Sequence, residues 1–202
     1  MNSSRLGQVA VVVLAASSLA GCGINSVPAA EEQAKAKWAD VQAAFQERAN
    51  LIPNLAAAAK GAADQEKGIL TGVMEARAKA TSIQLNANDL TDPAKMKAFQ
   101  DAQNNLSGTL GGFGRLLANV ESYPNLKSIE NYQMLQSQLE GQENRVRIAI
   151  RDYNEAVRVY NTTIRTFPDA IGARVIHGAK PMVPYQAATP GAEVAPSLEG
   201  KL

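Results

Sequence analysis

The sequence predicts an all-α protein: an up-and-down antiparallel four-helix bundle, with an N-terminal lipoprotein signal before it and an irregular C-terminal tail after it. Three observations lead there. Apolar residues recur at alternating steps of three and four along most of the chain, the mark of narrow seams on long helices. Only 5% of the residues are aromatic while 46% are hydrophobic, and alanine is plentiful, which suits helices packed closely through small side chains. No alternating, β-branched-rich run stands between turn signals, so sheet is not expected. At 202 residues, one domain with its own core is the natural reading.

The longest seam organises the rest and defines a helix over 126–167. Steps of seven from Tyr132 land on Leu139, Val146, Tyr153, Tyr160 and Phe167; a companion row holds Ile150, Val157 and Ile164, with Glu143 one heptad earlier. Such a coiled-coil-like rod is about 60 Å long and cannot bury its stripe alone. The remaining chain must supply its partners.

The N-terminus explains the single cysteine. Arg5 precedes the apolar run Val9 to Leu14, and small residues lead to Leu19-Ala20-Gly21-Cys22. This matches a bacterial lipoprotein signal over 1–21, in which small residues admit the peptidase and the Cys22 thiol takes the lipid. The apolar run is shorter than the roughly 20 residues a membrane span needs. The plainer alternative is an uncleaved anchor with an incidental cysteine. Without residues 1–21 the chain has 19 basic and 19 acidic residues, so the lipid alone would hold it. Glycine rather than aspartate after Cys22 favours outer-membrane sorting in a cell with two membranes.

Residues 22–28 form a linker without periodicity. Helix one covers about 29–51, with Ala34, Trp38, Val41, Phe45 and Ala49 on one face. Proline in a helix interior costs about 3 kcal/mol but costs nothing at a first helical position. A tight reversal at Leu51–Ile52 is therefore expected, with Pro53 opening helix two over 53–84 and placing Trp38 near Ala62–Ile69. The alternative is a single rod kinked at Pro53. Helix two carries Leu55, Ala62, Ile69, Ala76 and Ile83 in one row and Ala59, Val73 and Ala80 in the other, with Glu66 between Ala59 and Val73. The period breaks over Gln84 to Thr91, and Asp92-Pro93 restarts it as cap and first helical residue.

Helix three, over 93–122, reads Met96, Phe99, Gln103, Leu106, Leu110, Phe113, Leu117 and Val120. Gly108, Gly111, Gly112 and Gly114 each weaken it by up to about 1 kcal/mol relative to alanine. They mark either a close helix approach or a soft stretch. Tyr123-Pro124-Asn125 separates helices three and four. After Pro168 the character changes, and 168–202 reads as an extended or disordered Pro-rich tail that could lie on the bundle near Met182–Tyr185.

By this point several blocks resemble the LemA family of bacterial envelope proteins. They are Arg48-Ala49-Asn50-Leu51-Ile52-Pro53-Asn54-Leu55, Glu75-Ala76-Arg77-Ala78, Glu121-Ser122-Tyr123-Pro124-Asn125-Leu126-Lys127, Leu139-Glu140-Gly141-Gln142-Glu143-Asn144-Arg145, Arg151-Asp152-Tyr153-Asn154, and Tyr160-Asn161 to Phe167-Pro168. The resemblance spans about Ser26 to Tyr185. It implies a four-helix bundle outside the cytoplasm on an N-terminal membrane anchor. One branch of the family is associated with magnetosome membrane formation and others with envelope proteases; neither role transfers by residue. The chain departs from the family pattern in its short segment ending at Cys22 and in the glycines of helix three.

Little in the sequence points to chemistry, and no enzyme, cofactor or metal is expected. Cys22 is consumed by the lipid, and the one histidine, His177, has no carboxylate cluster beside it. Gly111-Gly112-Phe113-Gly114 lacks the Lys-Ser/Thr of a phosphate loop, and no Glu-x-x-His marks a bundle metal site. A net charge of +1 and no basic face argue against nucleic acid. The candidates are interaction surfaces. Arg48, Asn50, Pro53 and Asn54 should meet Glu121, Tyr123 and Pro124 at a membrane-distal tip, as a docking surface or simply as two tight turns. The stripe Tyr132, Tyr153 and Tyr160 reads as core with hydroxyls at the rim. Glu143, in a seam position, is expected to pair with Arg77 and fix the register of helices two and four, or else to turn out toward Arg147. The favoured function is a lipid-anchored scaffold or adaptor for an envelope partner. The runner-up is a small-ligand or lipid-binding bundle with a cavity beneath the helix-three glycines.

Overall fold

A computed structural model of the chain describes residues 3–59, 67–118 and 130–186. These residues form helices α1 (Ser3–Ala59), α2 (Lys67–Ser82), α3 (Pro93–Ala118), α4 (Glu130–Thr163) and α5 (Asp169–Val175), with a 3-10 helix at Ala87–Thr91. No strand occurs among them, as the heptad pattern requires. Outside the described residues lie the expected tip residues Glu121, Tyr123 and Pro124, the seam positions Ala62, Glu66 and Val120, and the tail beyond 186.

Most of the expected stripe positions that are described form the core, while Ile69, Ile83, Leu139 and Ile150 are half-buried. Ala34, Trp38, Val41, Phe45 and Ala49 are buried on α1; Met96, Phe99, Gln103, Leu106, Leu110 and Phe113 on α3; Val146, Tyr153, Val157 and Tyr160 on α4, with Ile164 just after it. Pairs with constant register fix the packing directions. The rings of Trp38 and Tyr153 meet at 5.0 Å, tilted by 58°, and Glu47 pairs with Arg145, so α1 and α4 run antiparallel. On the other side the Gln42 amide donates to Leu85 O at 2.9 Å and Arg77 Nε donates to Ala49 O at 2.7 Å, so α1 and α2 are antiparallel too. α2 and α3 meet through Val73, Ala76, Ala80, Leu106, Leu110 and Phe113.

The cap of α3 is as expected. Asp92 Oδ1 accepts from the amides of Ala94 and Lys95 at the start of α3. The 3-10 helix before it, with a reciprocal Asn86–Asp89 capping box, was not foreseen. The glycines of α3 do not mark a close approach: a Cβ at Gly108, Gly111, Gly112 or Gly114 would meet nothing within 4 Å.

Three corrections concern boundaries. The reversal at Leu51–Ile52 is absent. α1 continues through Pro53 to Ala59, so Pro53 lies inside a helix rather than opening one, and Trp38 sits beside Leu85. The penalty of about 3 kcal/mol at Pro53 is offset because Ile52 and Leu55 are buried against α2 and α3, each contributing about 1.5–3 kcal/mol. Residues 22–28, expected as a linker, are also helical; Val27 and Ala30 are buried, and Ser26 Oγ donates to Asp169 of α5 at 2.6 Å. Finally, α4 ends at Thr163 and the last heptad residue, Phe167, is 76% exposed. Pro168 has no N–H to continue the helix and pushes the residue before it out of the α region. The expected irregular tail contains a helix, α5, before it becomes extended.

Candidate functional site

The described half of the expected tip forms no turn surface; Glu121, Tyr123 and Pro124 lie outside the described residues. Arg48, assigned to it, is 1% exposed and lies at the centre of the molecule. Asn50 and Asn54 are exposed, and Asn50 accepts from the Gln46 amide one turn back at 2.9 Å. Pro53 is half-buried and lines an open groove of about 640 Å³ between α1 and α2, together with Ala56, Ala57, Leu70, Met74 and Ala78. The difference follows from the helix passing through Pro53: residues meant for a turn become positions on the inner and outer faces of α1.

Arg48 joins the helices around it. Its Nη1 donates to Ser107 Oγ of α3 at 2.7 Å and to Glu143 Oε1 of α4 at 2.9 Å; its Nη2 donates to Gln103 Oε1 at 2.9 Å. Gln103 in turn donates its amide to Ala80 O of α2 at 3.2 Å. The guanidinium carbon lies 4.9 Å from the centroid of Phe45, in cation–π range. All four long helices are thus tied through one buried cation, while Glu143 keeps about a third of its side chain in solvent. Nε of Arg48 and Oε1 of Gln142 are buried without a hydrogen-bond partner among the described residues. The expected Glu143–Arg77 pair is corrected here. Arg48 holds Glu143, and neither Arg77 nor Arg147 does. A signal for this was present: Arg48 stands seven residues after Val41 and four before Ile52, inside the apolar stripe of α1.

Arg77 has a different task. A helical residue at 53 would donate its N–H to Ala49 O, and proline has none to give. Arg77 Nε reaches across from α2 and takes that carbonyl.

A second polar system holds the tail. The Asn161 side chain donates to Met182 O and accepts from Met182 N at 2.8 and 2.9 Å; Asn154 makes the same two-way pair with Tyr185, both bonds at 2.8 Å. Seven residues of α4 rise about 10.5 Å, and three tail residues cover that distance only when nearly fully extended. Tyr153 and Tyr160 donate their hydroxyls to Val183 O and Lys180 O, Gln100 of α3 donates to Pro184 O, and Val183 N donates to Leu90 O. Met182 and Tyr185 are buried beneath, so the expected contact of the tail near Met182–Tyr185 is present. Burial pushes the Tyr153 and Tyr160 phenols up and that of Tyr185 up to about 12, with Glu143 adding to the rise at Tyr185 and Arg48 opposing it. Tyr132 belongs to the same stripe, but its side chain lies outside the described residues.

This is a site built for holding parts together. Among the described residues no group of three or more His, Cys, Asp or Glu could hold a metal ion. The family model of the LemA family matches residues 37–199. The chain belongs to the LemA family. The chain is 25% identical over 158 residues to two magnetosome proteins of Paramagnetospirillum magneticum, MamQ 2 and MamQ 1, covering 71% of this chain and 58% of each relative. It is 28% identical over 150 residues to the magnetosome protein MamQ of Magnetospirillum gryphiswaldense, covering 68% of this chain and 55% of the relative. The chain therefore spans little more than half the length of these relatives. In this LemA chain the sequence blocks that carried the resemblance acquire physical roles. Arg48-to-Leu55 supplies the buried cation and the proline, Glu75-to-Ala78 the arginine that answers that proline, and Leu139-to-Arg145 the carboxylate. The two Tyr-Asn pairs, seven residues apart, read the main chain of the tail.

Proposed function

We propose that this LemA-family chain is a non-enzymatic, membrane-held scaffold: a four-helix up-and-down bundle, lipid-anchored through Cys22, that presents its outer surface to a protein partner in the cell envelope. The observation that carries the reading is where the polar interior goes. Arg48, Glu143, Gln103, Arg77, Asn154 and Asn161 are all spent on holding helix to helix or tail to helix. Fixed side chains of this kind make a rigid body. The Leu19-Ala20-Gly21-Cys22 run supports the lipid anchor, and Gly23 supports outer-membrane placement in a cell with two membranes. The magnetosome names of the relatives fit a role at a membrane. No helix among the described residues is long and apolar enough to cross a bilayer, which a lipid anchor does not require.

The test is intact mass and native-membrane crosslinking. The wild-type chain should begin at an acylated Cys22, and Cys22→Ser should retain residues 1–21 without the acyl mass. A wild-type chain with its N-terminus intact and no lipid overturns the anchor. Crosslinking in native membranes should recover a defined protein partner in stoichiometric yield. A second reading, small-ligand or lipid binding, draws not on the expected cavity beneath the helix-three glycines but on the mostly apolar groove beside Pro53, whose volume falls in the range of ligand sites. Native mass spectrometry showing a retained small molecule and no protein partner favours that reading instead.

A further inference from the structure

We infer that α5 and the turn before it form a lipid-facing ridge that lies against an anionic bilayer surface beside the N-terminal anchor. Exposed apolar side chains are concentrated here. Phe167, Ile171, Val175 and Ile176 are 76, 59, 79 and 58% exposed, more than any other large apolar residue described. Ile171 and Val175 lie one turn apart on α5, with Phe167 in the turn before the helix and Ile176 at its C-terminal cap. The opposite side of the helix packs inward through the buried Ala173. Four exposed large apolar residues gathered on and beside one short helix are unusual for a free surface and ordinary at a membrane interface.

Two further observations identify a lipid surface as the occupant. The first is position. The Ser26–Asp169 hydrogen bond seats α5 against α1 four residues beyond Cys22, the residue that carries the lipid in the membrane-held reading. The surface that receives that lipid lies within reach of α5. The second is charge. Arg165, Arg174 and Lys180 flank the ridge, are exposed, and make no ion pair with any described residue. The acid of α5, Asp169, is held by Ser26. Apolar residues at the centre and cations around them match acyl chains and acidic headgroups.

The inference rests on the membrane-held reading, and one experiment separates their failures. Full-length protein carrying Ile171→Trp is mixed with vesicles of neutral and acidic phospholipids brominated in the acyl chains. The wild-type chain supplies the background, because its one tryptophan, Trp38, is buried. Ile148→Trp, at an exposed position well along α4, is the control. With the ridge seated about 5–10 Å into the interface, acyl bromine should cut the added emission of Ile171→Trp roughly twofold and leave that of Ile148→Trp unchanged. Protein that floats with the vesicles while Ile171→Trp stays unquenched overturns the ridge and leaves the anchor standing. Protein that does not float overturns both. Equal quenching at the two positions also overturns the ridge. Circular dichroism of both variants checks that the fold is intact.

Discussion

Arg77 donates its Nε–H to the carbonyl of Ala49 at 2.7 Å, and that carbonyl is the acceptor Pro53 leaves without a helical donor. The interhelical bond and the proline inside α1 are therefore coupled. Arg77→Ala should destabilise the protein by about 1.5 kcal/mol, since it removes a charged hydrogen bond and strands an acceptor. In a Pro53→Ala background, residue 53 supplies its own N–H, and Arg77→Ala should cost no more than about 0.5 kcal/mol. Denaturant melts of the four variants close the cycle. Equal costs in the two backgrounds would show that Arg77 does not answer the proline.

Arg48 and Glu143 make an asymmetric prediction. Glu143→Ala should cost about 2 kcal/mol, tempered by the carboxylate's partial exposure and by the bonds Arg48 keeps to Gln103 and Ser107. Arg48→Ala should cost about 3 kcal/mol or more, because Glu143, Gln103 and Ser107 all lose their partner and a cavity opens beside Phe45. Arg77→Ala should not alter the effect of Glu143→Ala. Coupling between those two at the level of the Arg48 pair would restore the register pair expected from sequence spacing.

The asparagine clamp can be read locally. Asn161→Ala should lower amide-exchange protection at Met182 more than at Tyr185, and Asn154→Ala the reverse. Each loses two neutral hydrogen bonds, about 1–3 kcal/mol of tail attachment. Chymotrypsin should then cut after Tyr185 faster in both variants, with the melting of α1–α4 little changed. A uniform drop in protection across the molecule would mean that the tail and the helices unfold as one unit.

Alkali gives a fourth test. Tyr153, Tyr160 and Tyr185 all hold their protons more tightly in the folded state than the free phenol, whose value is 10.0. Their shared contribution to stability is complete below pH 10 and is lost as pH rises toward about 12, the value for Tyr185. Stability should therefore fall steadily above pH 10. Tyrosinate absorbance should show a late-titrating class that shifts down to about pH 10 in denaturant. Normal titration of every tyrosine in the folded chain would contradict the buried hydroxyls.

Seams were legible because a heptad stripe has one buried solution: Trp38, Phe99, Tyr153 and Tyr160 point inward as their spacing demands. The Asp92-Pro93 start of α3 was legible for the same local reason. Pro53 misled because proline's local cost was weighed without the tertiary gain of burying Ile52 and Leu55 or the carbonyl bond from Arg77. That one error moved Arg48 from the core to a tip and gave Glu143 the wrong partner. The tail clamp was hidden differently. Asparagines two helical turns apart look like solvated positions until an extended segment of matching rise lies over them, and that segment comes about 20–30 residues later in the chain.

The clamp also has a consequence for the order of events during synthesis. Residues 180–186 leave the ribosome, and any export channel, after every described helix has done so. Until then Asn154, Asn161, Tyr153 and Tyr160 have only water for partners, and the places of Met182 and Tyr185 in the core stand open. Folding is thus checked at its far end: a chain interrupted before residue 180 carries all five described helices yet displays an unfilled apolar seam, a feature quality-control proteases can recognise.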